Sequence, residues 1–342
     1  MAVVKTAERW VCDLFFKNKR LDEGYVTAVW DLNRDPMSFD FAWFLVGAEL
    51  FSKKNGKDSF FVNFIRSSDA VEIGPPGQRI IDVSEVHWRF ENIVLPLINL
   101  FPACIGHSVV PKTQNLSKTL KGKLVYPEFY DGKYTPSSDH HRDVCLSKEK
   151  FLGFRAPLQG IRSIKSWKKA NKITKNIVTI TLRQYDYDQV RNSNVFEWVK
   201  FANLVFKQGL TPVFIPDTYA CFELDDRLDG FIVFQDPCWN LGLRMALYEE
   251  SYLNFFVSNG PVAIAMLNKK IKVIYIKLSV EDSLESGIDV YENRGLKVGQ
   301  RRYDFAEEYQ VLSWEEDSFE NIRDEFYRFL KEYPPPDIST LR

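Results

Sequence analysis

Cysteine is scarce and scattered in this chain, which removes two readings at once. Cys12, Cys104, Cys145, Cys221 and Cys238 form no C-x-x-C pair and are odd in number. Such a set argues for reduced thiols, not for a disulfide framework or a zinc site. Histidine is scarcer still, with four in 342 residues. Two of these, His140 and His141, are adjacent, and neighbours without a third ligand make a poor metal pair. Long apolar runs are missing too, none approaching the roughly 18 residues of a membrane span. The first residues lack a basic segment leading into an apolar core, so no signal peptide is expected. The expected location is cytoplasmic, with peripheral membrane association left open. A net charge of -1 gives no global pull toward polyanions, and no nucleic-acid partner is expected. P-loop, G-x-G-x-x-G, G-x-S-x-G and H-E-x-x-H motifs are all lacking, so ATPase, dehydrogenase, hydrolase and zinc-peptidase readings have no support.

What is present is an aromatic-rich globular composition, 45% hydrophobic and 15% aromatic, in a chain long enough for two domains. The clearest segment runs from Ile177 to Asp217. The β-branched stretch Ile177 to Thr181 favours a strand. Asn194 followed by Glu197 has the spacing of a capping box. Trp198, Phe201, Ala202 and Val205 then recur on one helical face, and Gly209 suits the left-handed residue that ends a helix. With Pro212 to Ile215 as the next strand, the segment is a βαβ unit and implies a parallel sheet.

The N-terminal part repeats this logic. Tyr25 to Trp30 is expected as a strand, Phe39 to Ser52 as a helix apolar nearly all round, and Ser59 to Ile65 as the following strand. An amphipathic segment is expected before residue 20, a loop around Gly74 to Gly77, and a helix from Glu85 to Leu100 interrupted by Pro96. From Ser117 to Asn176 the character changes to 14 Lys or Arg against 5 Asp or Glu, with Tyr126, Tyr130 and Tyr134 interspersed. Either a cleft border or a solvated linker fits that segment, and Ile164, Trp167 and Ile173 suggest that its end is a helix leading into the second domain. Further on, Tyr252 to Val257 and Ile271 to Leu278 are expected strands, and Pro261 opens a helix at its favoured first position.

Polar residues fall just beyond strand ends, where open α/β sheets bind ligands. Arg183 follows one strand, Asp217 the next, and Asn259-Gly260-Pro261 a third. Arg183 and Arg191 offer forked donors for a phosphate, and the Asn259-Gly260 turn a helix start, making a diphosphate pocket. Both arginines could instead pair with Asp186, Asp188 or Glu197. Asp31, at the end of the first strand, and Asp40, at the start of the first helix, are the candidate catalytic bases. Their alternative roles are a turn residue and a first-turn acid that complements the helix dipole.

Several of these stretches also resemble a known group. Thr181-Leu182-Arg183, Arg191 to Asn194, Glu197-Trp198, Pro216-Asp217-Thr218, Arg244 to Glu249, Asn259-Gly260-Pro261 and Gln310 with Trp314 and Asp317 carry the likeness in the second half. Trp30-Asp31, Ser38-Phe39-Asp40 and Trp88 to Asn92 carry it in the first. Together they are similar to a bacterial family that resembles GT-B glycosyltransferases and accompanies surface-polysaccharide biosynthesis. A strand ending in arginine is more distantly similar to fucosyltransferase-like enzymes, although Thr181 stands where their His-x-Arg-Arg pattern has histidine.

The resemblance implies an α/β fold of two Rossmann-like domains facing a cleft. Residues 1–135 would form the acceptor-side domain, 136–176 the basic connector and 177–342 the nucleotide-sugar domain. It implies sugar transfer from a nucleotide sugar to a glycan or small acceptor, without metal or other cofactor. Arg183, Arg191, Asn194, Asp217, Asn259 and Gly260 would bind the donor, and Asp31 or Asp40 would act on the acceptor. A non-catalytic nucleotide-sugar-binding or scaffolding protein is the alternative that the same residues allow.

Overall fold

The structure is a computed structural model that describes residues 24–66, 83–111, 120–128, 130, 137–283 and 285–336. The expected amphipathic segment before residue 20, the Gly74 to Gly77 loop, Cys12 and Tyr134 lie outside the described residues. The chain forms two compact units. The first comprises residues up to Val144 with Glu149–Phe151, and the second comprises Cys145–Lys148 and all from Leu152 onward.

In the first unit, β1 (Val26–Asp31), α1 (Phe41–Lys54) and β2 (Phe60–Arg66) follow one another as the pattern demands. All six residues of β1 are buried, as in a strand covered on both faces. Helix α1 buries Trp43, Phe44, Leu45, Val46 and even Glu49, whose carboxylate is held by Lys53 at 2.7 Å. Gly56, at φ +68°, takes the left-handed turn after it. The long helix expected next is broken by one wide turn. It runs as α2 (Val83–Arg89), a π turn over Phe90–Val94, and α3 (Leu95–Asn99). Pro96 has no N–H to continue the ladder, and the backbone widens just before it.

Strand β3 (Cys104–Pro111) pairs with β2, and β4 (Val125–Tyr126) pairs with β1. All pairs are parallel, in the order β3-β2-β1-β4. The chain order therefore reverses between β1 and β4. Helix α4 (Ser137–Leu146) follows, and its His140 is buried with Nδ1 3.0 Å from the Tyr126 hydroxyl.

The second unit opens with α5 (Leu158–Ala170), so the end of the expected basic connector is an ordered helix. Then come β5 (Ile177–Thr181), α6 (Val195–Lys207), β6 (Thr211–Ile215), β7 (Ile232–Val233), α7 (Leu241–Glu250) and β8 (Leu253–Phe256). Short α8 (Val262–Met266), β9 (Val273–Tyr275), α9 (Ile288–Asn293), β10 (Gln310–Leu312) and α10 (Phe319–Glu332) complete it. Six strands lie in the order β10-β9-β8-β5-β6-β7, every pair parallel. Counted from β5, this is the doubly wound order 3-2-1-4-5-6, read from the β7 edge.

The core on one face of this sheet sets the buried stripe of α6 (Trp198, Phe201, Ala202, Val205) against Phe255 and against Phe326 and Phe329 of α10. Phe201 lies edge-on to Phe255 and Phe326 at 4.7 and 5.2 Å between ring centres. Each such ring contributes roughly 1.5–3 kcal/mol of burial. Helix α10 belongs to this core through Ile322, Phe326 and Phe329.

Candidate functional site

Strand register brings one row of polar residues to a common level. Thr181 is paired with Ile215 on one side and with Phe256 on the other. Two residues further along each strand stand Arg183, Asp217 and Ser258. The order of strands reverses between β5 and β8, and at such a reversal the two following loops part and leave a crevice.

The loop after β5, Gln184 to Asn194, forms one wall. Its organiser is Arg183, which is only 5% exposed. Its guanidinium donates to the carbonyls of Tyr187 (2.5 Å) and Asp188 (3.0 Å) and to Oδ1 of Asn192. Burial, with Arg191 nearby, lowers its pKa to about 10, which still leaves it a cation at neutral pH. Asp188 adopts a left-handed backbone (φ 55°), sparsely used by residues other than glycine. It is held there by Arg183 on its carbonyl, by Ser283 Oγ at 2.7 Å and by Arg191 at 3.6 Å on its carboxylate. Arg191 reaches across the reversal point. Its Nη2 donates to the Ser258 carbonyl at 2.9 Å and its Nε to Ser258 Oγ at 3.3 Å.

Opposite stands the turn after β8. Asn259 is buried, its Nδ2 donating to the Thr181 carbonyl (3.4 Å) and its Oδ1 accepting the Val262 N–H (3.2 Å). It staples the end of β5 to the start of α8, so that N–H of the short helix is already satisfied. Gly260 beside it is exposed. Asp217, beyond β6, accepts the N–H groups of Gln184 (3.3 Å) and Tyr219 (3.2 Å). Burial raises its pKa, against those N–H groups and the charges of Arg244 and Arg183.

The structure thus gathers Arg183, Arg191, Asp217, Asn259 and Gly260 along one edge, and Asn194 takes a different part. It precedes α6 without a side-chain cap, and its N–H donates to Asp317 at 2.7 Å. Nor does Glu197 reach back to close a capping box. It accepts from the Phe319 N–H and from Lys200, while Asp317 also takes the Trp198 indole N–H at 3.0 Å. A carboxylate from the far end of the sequence has displaced the local cap.

In the first unit, Asp31 ends β1 at that sheet's own reversal point. Its Oδ1 accepts from the N–H and Nδ2 of Asn33, and its Oδ2 from the Tyr130 hydroxyl at 2.8 Å. Asp40 lies before α1 with Ser38 Oγ donating to it at 2.6 Å. Sequence reading overlooked Asp35. One of its oxygens accepts the Asp31 N–H at 2.8 Å, the other is buried without a hydrogen-bond partner among the described residues, and burial pushes its pKa up to about 7. Ser258 was also overlooked, since a serine after a strand carries no signal of its own.

His141 stacks on Trp43 at 3.6 Å, and Asp225 pairs with Arg227. No group of three His, Cys, Asp or Glu side chains among the described residues is arranged to hold a metal ion. No described helix is long and apolar enough to cross a membrane. The four described cysteines are free thiols.

No protein-family model matches the chain, and no curated protein matches it in sequence. Solved structures do share its fold. A glycosyl transferase of family 9 from Veillonella parvula superposes with a TM-score of 0.56 at 9% identity, over 92% of this chain and 99% of that one. The ADP-heptose lipopolysaccharide heptosyltransferase II of E. coli gives 0.50 at 7% identity, over 90% and 99%. The likeness spans nearly the whole chain and establishes the two parallel-sheet units as a GT-B-like fold.

Proposed function

We propose that this chain is a glycosyltransferase whose second unit binds a nucleotide sugar by its diphosphate and passes the sugar to a hydroxyl of a glycan or small acceptor in surface-polysaccharide biosynthesis. The observation that carries the reading is Arg191 bridging to Ser258 across the reversal point of a 3-2-1-4-5-6 sheet. A cation and a row of strand ends meet there, at the position where doubly wound sheets take phosphates. The glycosyltransferase fold of the two solved structures above supports the same reading.

The roles divide by geometry. Arg191, partly exposed, exchanges Ser258 for the diphosphate, and Gly260 leaves room beside it. Arg183 shapes the loop that carries Arg191 and adds positive field from beneath. Asp217 occupies the end of the second strand of the doubly wound order, where an acidic residue suits a ribose hydroxyl. Asn259 holds the wall formed by the turn after β8. The bond from the anomeric carbon to the diphosphate breaks as the acceptor oxygen bonds to that carbon, and the departing charge is met by Arg191. Asp31 and Asp40 remain the two acceptor-side candidates for the base: both oxygens of Asp31 accept hydrogen bonds, from Asn33 and Tyr130, whereas Asp40 accepts from Ser38 Oγ through one oxygen.

A thermal-shift panel of ADP-, GDP-, UDP- and CMP-sugars tests the reading. At least one should raise the melting temperature of the wild type, and Arg191→Ala should weaken its binding about tenfold or more. If none of the four stabilises the protein, the donor site is wrong.

A further inference from the structure

Beyond β6 the second unit carries an aromatic lip outside the crevice just described. Tyr219, Phe222 and Trp239 are 64%, 77% and 43% exposed. Single exposed apolar residues are ordinary, but these sit on a segment that is fastened down. Thr218 Oγ1 donates to the Cys238 carbonyl at 3.1 Å, Cys238 Sγ to the Pro216 carbonyl at 3.1 Å, and the Trp239 indole N–H to Cys221 Sγ at 3.2 Å. Gln235 adds a bond to the Cys221 carbonyl. Phe222 and Trp239 lie nearly parallel, 26° apart with ring centres at 5.7 Å. Tyr219 touches the β5 loop through Tyr185, and its hydroxyl donates to Asp186 at 2.8 Å. The rings are thus held outward at little further entropic cost and are continuous with the wall of the crevice.

We infer that this lip is the stacking platform for the base of the nucleotide, an inference that rests on the diphosphate assignment above and adds an orientation to it. Charge decides which end of a nucleotide goes where. Asp186 and Glu223 lie close enough to Tyr219 to act on it, and Arg227 in the same loop is paired to Asp225. Phosphate is disfavoured beside these carboxylates and drawn to Arg191, which reaches from the β5 loop to Ser258 after β8. The uncharged end, flat and bearing N–H donors, meets aromatic faces and carboxylate acceptors. From β8 across β5 to β6 is two strand spacings, roughly 10 Å, which an extended nucleoside bridges by way of Asp217. A polyanion or an anionic lipid surface has no such match to an acidic lip.

Titration of the full chain, followed by calorimetry and tryptophan emission, tests this with inorganic pyrophosphate, ADP, GDP, UDP and adenosine as probes. The best nucleoside diphosphate should bind at least about tenfold more tightly than pyrophosphate. Phe222→Ala and Trp239→Ala should each remove about tenfold of that advantage and leave pyrophosphate affinity unchanged. Trp239→Phe should keep most of it. Phe206→Ala, an equally exposed ring on α6, should change nothing. If pyrophosphate binds and the nucleoside advantage survives in both alanine variants, the platform is refuted while the diphosphate site stands. If adenosine alone binds and quenches Trp239 while pyrophosphate does not bind, the platform stands and the diphosphate assignment falls. Absence of binding by every probe overturns both.

Discussion

Arg183 and Arg191 leave the same loop with the same charge, and only their surroundings separate their jobs. Arg183 has spent three of its five N–H donors on carbonyls and an amide of its own loop, whereas Arg191 reaches Ser258 after β8 and pairs with Asp188 only at 3.6 Å. Removing Arg183 therefore leaves three part-buried acceptors without their donor and should lower the melting temperature as well as binding. Removing Arg191 should cost binding with little loss of stability.

Asp35 gives a sharper test at the same scale. Its pKa is raised from the usual carboxylate value to about 7, first by burial and then by the neighbouring Asp31 charge. The folded state therefore keeps a proton that the unfolded state releases. Stability from this group is fully present below about pH 4 and is lost as pH rises toward 7. Beyond its own loop, where Asp31 and Arg34 act on it, Asp35 is felt by Tyr130 arriving after β4. Asp35→Asn should raise the melting temperature at pH 8 by on the order of 5 °C and flatten its fall between pH 5 and pH 8. An unchanged pH profile, measured by calorimetry on both proteins, would rule out Asp35 as the titrating group.

Elements with a strong local pattern were legible in the sequence. Strand β5, helix α6 and Gly209 at φ +76° stand where β-branching, the Trp198 to Val205 stripe and glycine's freedom indicate. The strand-end positions Arg183, Asp217 and Asn259 were legible for the same reason, because a residue after a strand is identified once the strand is, while the residue level with the first two, Ser258, was not. What escaped depends on distant partners. Nothing near Asn194 tells that Asp317 will replace its cap, and nothing near Trp239 tells that its ring stays outside the core.

The basic stretch before β5 was legible in part. Ile164, Trp167 and Ile173 point to a helix at its end, and α5 is that helix, but nothing local tells that it lies against α7 through Gly160, where a Cβ would come within 2.8 Å of the Gly242 carbonyl. Gly160→Ala should destabilise the protein by about 1–3 kcal/mol by forcing the two helices apart, whereas Lys169→Ala, on the exposed side, should not. Urea melts of both variants decide whether this helix is part of the unit or a linker.

At the scale of the whole molecule, an architecture is shared over nine-tenths of the chain with a glycosyl transferase at 9% identity. Such conservation of shape with so little sequence fits a fold held by buried apolar pattern, with chemistry left to the loops at strand ends. Those loops here supply arginine, serine and amide groups at the proposed diphosphate position. A transferase relying on them should release nucleoside diphosphate from its donor in the presence of an acceptor hydroxyl, and should do so equally well in EDTA. Arg191→Ala should slow this by about 100-fold or more, since the lost contact is one that strengthens as charge develops on the leaving group. Coupled detection of nucleoside diphosphate, with and without chelator, separates three outcomes. Turnover that survives EDTA supports the arginine mechanism. Turnover abolished by EDTA and restored by a divalent cation would mean that a metal carries the charge assigned to Arg191. Donor binding without turnover across a range of acceptors would instead make the chain a nucleotide-sugar-binding protein that keeps the fold and the crevice but not the reaction.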